Sequence, residues 1–187
     1  GLAVGGLPDG IVDTDMLAAN AVTAAKKGAG SILQVVQTYK TDTFSATLNQ
    51  AVESGDITGL TASITPASSS NKILVIFDVA TGNSASSRLG ITLYKAGSTL
   101  TASTGDAAGS TTRFTAYGST TAADRHWGIS GKYLDTAGGT SSITYSLRMR
   151  HGNGSSNTLY VNRPGTMYDE NYGMKAASNI TLMEIAV

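Results

Sequence analysis

Residues 142–151 read SITYSLRMRH. Ile143, Tyr145, Leu147 and Met149 alternate with Thr144, Ser146, Arg148 and Arg150. A β-strand separates these two sets, because its successive side chains point to opposite faces. One set is apolar and the other polar, so the strand belongs to a sheet with one buried and one open side. The same period of two runs outward from here. Phe44, Ala46 and Leu48 alternate with Thr43, Ser45 and Thr47, and Ile57, Leu60, Ala62 and Ile64 continue the pattern up to Pro66. Leu89, Ile91 and Leu93 share one face of RLGITLYK, residues 88–95. Residues 72–80, KILVIFDVA, are the most apolar run; nine residues rich in branched side chains suit a central strand better than a helix.

Stretches 31–39, 113–117, 126–134, 158–163 and 180–187 bring the expected total to about ten strands. GNGSS, residues 152–156, reads as a hairpin tip that returns the chain through 158–163, and ITLMEIAV (180–187) as a strand inside a sheet. No helical period intervenes. The expected fold is therefore all-β, an antiparallel β-sandwich of jelly-roll type with extra hairpins.

Composition agrees with that fold and narrows the function. Serine and threonine make up 46 of the 187 residues and glycine another 22, a bias toward strands and turns. Formal charge is zero and charged residues are 14% of the chain, so no basic stripe offers itself to nucleic acid. With no cysteine, disulfides, thiolate metal sites and a cysteine nucleophile are excluded. No apolar run is long enough to span a bilayer, so membrane insertion is not expected.

Ahead of the first strand lies GIVDTDMLAANAVTAAKKGAGSIL, residues 10–33. Burying Ile11, Val12, Met16, Leu17 and Val22 returns less free energy than ordering some twenty residues of backbone costs. The segment therefore needs a partner, either its own domain or copies of itself around an axis. Asp13, Thr14 and Asp15 could cap a short helix over 16–26, with Lys26 and Lys27 at its C-terminal end; a shaft-like strand is the other reading. Residues 1–30 are thus read as an attachment segment, held by its own domain or by copies of itself, and 31–187 as the β-sandwich.

Chemical motifs are sparse. His126 and His151 fit no metal-ligand spacing, Asp169 and Glu170 are adjacent and would face opposite ways, and no nucleophile elbow is present. No catalytic residue, metal or cofactor is expected. Two stretches stand out for binding: YGSTTAADRHW (117–127) and PGTMYDENYGMK (164–175). They concentrate Tyr117, His126, Trp127, Tyr168, Asp169, Asn171 and Tyr172, and aromatic faces beside Asp and Asn are the groups that hold sugars. Each aromatic has packing beneath a loop as its alternative role. Arg148 and Arg150 share a strand face, with Arg163 on the expected facing strand; a solvated face and a subunit interface are the two readings.

LPDGIVDTDMLAANAVTAAKKGAGSILQVVQ, ITGLTASITPASSSNKILVIFDV, SITYSLRMRH, LYVNR and ITLMEIAV resemble, in this order, segments of tail-fibre and related virion appendage proteins of tailed bacteriophages, especially marine ones. The resemblance spans nearly the whole chain. It implies a non-enzymatic homotrimer on the virion surface, joined to other virion proteins through the N-terminal segment. It also implies contact with a host surface glycan or protein receptor. A capsid decoration protein and a carbohydrate-binding module are the alternatives.

Overall fold

The computed structural model describes residues 26–152, 154–171 and 173–187. The expectations placed on Ile11, Val12, Met16, Leu17 and Val22, and on Tyr172, lie outside the described residues. Eleven strands follow: β1 (Ile32–Lys40), β2 (Phe44–Leu48), β3 (Glu53–Ile64), β4 (Lys72–Asn83), β5 (Ser87–Lys95), β6 (Ser98–Thr99), β7 (Ala116–Thr120), β8 (His126–Thr136), β9 (Ile143–His151), β10 (Asn157–Val161) and β11 (Ser178–Ile185).

They form two antiparallel sheets. In the first, β8 takes one edge of β4, while β11 and β10 lie end to end along the other, facing 72–78 and 81–83 respectively. Outside them, β1 pairs with β11 and β2 with β10. β1 with β2, and β10 with β11, are therefore two sheet positions, each broken in the middle. The second sheet runs β3-β9-β5, and β6 and β7 share the far edge of β5. The chain changes sheets at every step from β2 to β5 and again from β7 to β10. Counting broken strands once leaves four positions per sheet, the jelly roll that the alternation predicted.

The expected hairpin at 152–156 is corrected. β9 already carries β3 on one edge and β5 on the other, so no edge is left for β10. The link from β9 to β10 instead takes the chain across to the first sheet. Arg163, just past β10, consequently does not face Arg148 and Arg150.

Between the sheets lie Ile73, Val75, Phe77, Ile91, Leu93, Tyr145, Leu147, Met149, Leu159, Ile180 and Leu182, all buried. In β3, Ile57 and Leu60 both face inward although three residues apart. The register slips between Asp56 and Thr61, where Gly59 takes a φ of +83°.

Asn162 explains why two strands break at the same level. It sits at φ 64°, a conformation asparagine tolerates better than most residues, and is fully buried. Its amide donates to the carbonyls of Lys40 (2.9 Å) and Asp42 (2.8 Å), and its side-chain oxygen accepts from Ser178 Oγ (2.6 Å). One side chain thus ties the β1–β2 bend to the β10–β11 break. The 12 residues of β4 set the separation of the two ends of the sandwich, about 40 Å. At one end, Lys26–Gly30 enter and Gly30 N–H bonds to Ala186 O (2.8 Å). Loops 84–86 and 121–125 and the turns that follow β9 and β10 gather at the other.

Candidate functional site

The loop end of the sandwich is built by close backbone approach. A Cβ at Gly82 would stand 2.4 Å from Arg163 O, and one at Gly165 would stand 2.1 Å from Asn83 O. Only glycine lets residues 163–165 lie against the end of β4. Thr166 N–H then bonds to Ala123 O (2.8 Å), and His126 Nε2 lies 2.9 Å from Met174 O. The two stretches singled out in the sequence, 117–127 and 164–175, are brought together by these contacts.

Three clefts open there. The first, about 410 Å³, lies between the two stretches and is lined by Asp124, His126, Pro164, Thr166, Tyr168 and Met174. The second, about 520 Å³, lies on the other side of Tyr168 against Arg163, Asp169, Glu170 and Lys175. Tyr168, 45% exposed, is the wall they share. The third, about 720 Å³, is lined by Gln50, Arg88, Tyr117, Ser119, Thr121 and Ser155.

The sequence-predicted residues are distributed among these clefts rather than collected in one. His126 and Tyr168 share the first, Tyr168 and Asp169 the second, and Tyr117 belongs to the third. Asn171 is exposed on the same loop. Trp127 is about half exposed; one side of its indole packs on the backbone of Gly118, where a Cβ would come within 2.6 Å of Cδ1. Tyr117 stacks on Phe114, ring centroids 6.3 Å apart.

Arg163 joins this end of the molecule. Its guanidinium lies 4.6 Å from the Tyr160 ring centroid and donates to Pro164 O and Gly165 O, both at 3.0 Å. Arg148 and Arg150 lie on the outer face of the second sheet. Arg148 Nε donates to Asp56 Oδ1 at 2.6 Å, with its guanidinium 3.9 Å from the Tyr94 ring centroid. That hydrogen bond to Asp56 holds the Arg148 pKa above its ordinary value. His151 closes the apolar face of β9, fully buried. Burial pushes its pKa down, and neither ring nitrogen has a hydrogen-bond partner.

Met174, Gln50 and Arg88 line the clefts without having been anticipated. Each comes from a turn or strand end, and only the crossovers between sheets bring it here. Among the described residues no group of three or more His, Asp or Glu could hold a metal ion, and no helix is long and apolar enough to cross a membrane.

Fold and clefts define a jelly-roll domain with three clefts at its loop end. No protein-family model matches the chain, and no curated protein matches it. Among solved structures, a chain from the structure of infectious bursal disease virus, Gx strain, is similar at 15% identity and a TM-score of 0.40. The match covers 85% of this chain and 38% of that one, so this chain spans well under half of its length.

Proposed function

We propose that the chain is a non-enzymatic virion structural protein of a tailed phage, a homotrimeric tail-fibre or receptor-binding tip whose loop end contacts a host surface glycan or protein. The observation that carries this reading is the polarity of the sandwich. The chain enters at one end through Lys26–Gly30, and the exposed Tyr117, Trp127 and Tyr168 stand at the opposite end, about 40 Å away. A domain mounted by its N-terminal side presents such loops outward. Tyr168 between two clefts offers a ring to sugar C–H surface, with Asp169, Asp124 and backbone carbonyls available for hydroxyls. Weak contacts of this kind gain from threefold repetition.

Self-association is assigned to the outer face of the first sheet. Val35, Met183, Leu74 and Leu134 stand side by side across β1, β11, β4 and β8, with Ile32, Ile185 and Ile76 in the flanking rows. Val35 and Leu134 are 54% and 51% exposed. The outer faces of β4 and β11 carry Leu74, Ile76, Met183 and Ile185 in their entry-side halves, an apolar patch of the kind that meets another surface. This row begins where Lys26–Gly30 enter, next to the attachment segment, and its occupant is a second copy of the chain.

Two measurements test the reading. Light scattering of the full chain should give three protomers, and Leu134→Lys should lower the mass toward one. An array of bacterial surface polysaccharides and intact cells should retain the wild type and release Tyr168→Ala. A single compact protomer at micromolar concentration overturns the trimer. Failure to bind cells or polysaccharide, with saturable binding to emptied capsids, favours a head-decoration role in which the apolar row seats on the shell.

A further inference from the structure

The link between β6 and β7 folds back over the outer face of the second sheet. Thr115 N–H bonds to Ile91 O and Thr115 Oγ1 accepts from Leu93 N–H, both at 3.0 Å. Phe114 fills the space above Gly90, where a Cβ would fall within 1.9 Å of its ring. Between this link and the sheet lies a cleft of about 270 Å³, lined by Glu53, Thr92, Thr99, Thr112, Arg113 and Arg150 and by four further serine and threonine residues.

The charges around it are unequally satisfied. Arg148 is paired with Asp56 and stacked on Tyr94. Glu53 accepts from Thr92 Oγ1 (3.1 Å) and from the Tyr94 hydroxyl, one bond on each carboxylate oxygen. Arg150 sits in register between Glu53 on β3 and Gly90 on β5. Its Nε is buried and has no hydrogen-bond partner. A buried guanidinium nitrogen without an acceptor is uncommon, because leaving it so costs free energy. Arg113, exposed on the link, is the second cation at the cleft.

We propose that this cleft binds a single oxyanion group, the carboxylate or sulfate of an acidic sugar. Arg150 meets it with its planar fork, Arg113 closes over it from the link, and the threonine hydroxyls donate to the remaining oxygens. No aromatic ring lines the cleft, so a neutral sugar has no face to stack on; two arginines against the one carboxylate of Glu53, whose oxygens are engaged by Thr92 and Tyr94, leave the cleft net positive and favour an anion. The site lies on the sheet face, away from the loop-end clefts, and does not depend on their role.

The test titrates the full chain, by calorimetry and by amide NMR, with glucuronate, glucose 6-sulfate, inorganic sulfate and glucose. Glucuronate or glucose 6-sulfate should saturate, glucose should not, and added salt should weaken the binding. Arg150→Gln should lower affinity about tenfold or more and Arg113→Gln several-fold. Arg113→Gln, on an exposed side chain, carries the same test should Arg150→Gln fail to fold. Absence of binding by both acidic sugars overturns the proposal, as does equal affinity in wild type and both arginine variants. Binding of inorganic sulfate alone overturns the sugar assignment.

Discussion

His126 Nε2–H donates to the carbonyl oxygen of Met174 across 2.9 Å, joining the start of β8 to the loop that follows β10. A carbonyl can only accept, so Nε2 carries the hydrogen. The bond fixes the Met174 side of the cleft that Tyr168 shares. His126→Ala should therefore cost only about 0.5–1.5 kcal/mol of stability. Amide hydrogen exchange at residues 173–175 should accelerate far more than in the core strands. Unchanged exchange there would mean that the loop is held by other contacts, such as Thr166 to Ala123.

Asn162 should be the most costly single loss outside the apolar core. Asn162→Ala strips the partners from two backbone carbonyls and a serine hydroxyl, and places a Cβ-bearing residue at positive φ without local compensation. A loss of about 2–4 kcal/mol is expected by urea denaturation. Asn162→Gly relieves the backbone but not the lost bonds, so it should recover only a fraction. Recovery to wild-type stability by glycine would assign the role of Asn162 to conformation alone.

Glu184 is fully buried at the end where the chain enters. Desolvation raises its pKa, but donors from Asn71 Nδ2 (2.6 Å), Gln34 Nε2 (2.6 Å) and the amides of Ala67 and Ser68 outweigh it, and the net shift is downward. A carboxylate whose pKa is lower folded than unfolded stabilises the fold above its ordinary value of 4.5. That contribution is lost as pH falls through the folded value. Wild-type stability should drop steeply below pH 4.5, and Glu184→Gln, less stable at pH 7, should show a shallower drop. Parallel profiles would assign acid sensitivity to other carboxylates.

The fold was legible where one physical signal dominates. Alternation along 142–151 and the apolar run at 72–80 each follow from a core between two sheets, and β9 and β4 lie where those patterns place them. The breaks were not legible. Asn162 reads as an ordinary turn residue, and its bonds to Lys40 and Asp42 span about 120 positions of sequence. GNGSS serves a hairpin and a sheet crossover equally well; only the occupied edges of β9 decide. For the same reason, the composition of 117–127 and 164–175 could not show how their residues divide among three clefts. Arg150 stood out in the sequence as half of a pair with Arg148, yet the difference between a paired and an unpaired arginine depends on Glu53 being engaged elsewhere.

His151 should prove a stability liability. Both ring nitrogens are buried without partners, and burial holds its pKa below the ordinary 6.5. The unfolded chain therefore takes up a proton near pH 6.5 that the folded chain resists. Its contribution is full above 6.5 and declines as pH falls below it, until the folded value is passed. His151→Leu removes two unsatisfied polar atoms from an apolar wall and should stabilise the protein by about 1–3 kcal/mol at pH 7.5. Between pH 6.5 and 5.5, above the range where Glu184 acts, the wild type should lose stability with acidification more steeply than the variant. His126 is present in both proteins, so the difference between the two slopes belongs to His151. Equal slopes, or a less stable variant, would mean that the ring finds a hydrogen-bond partner in solution.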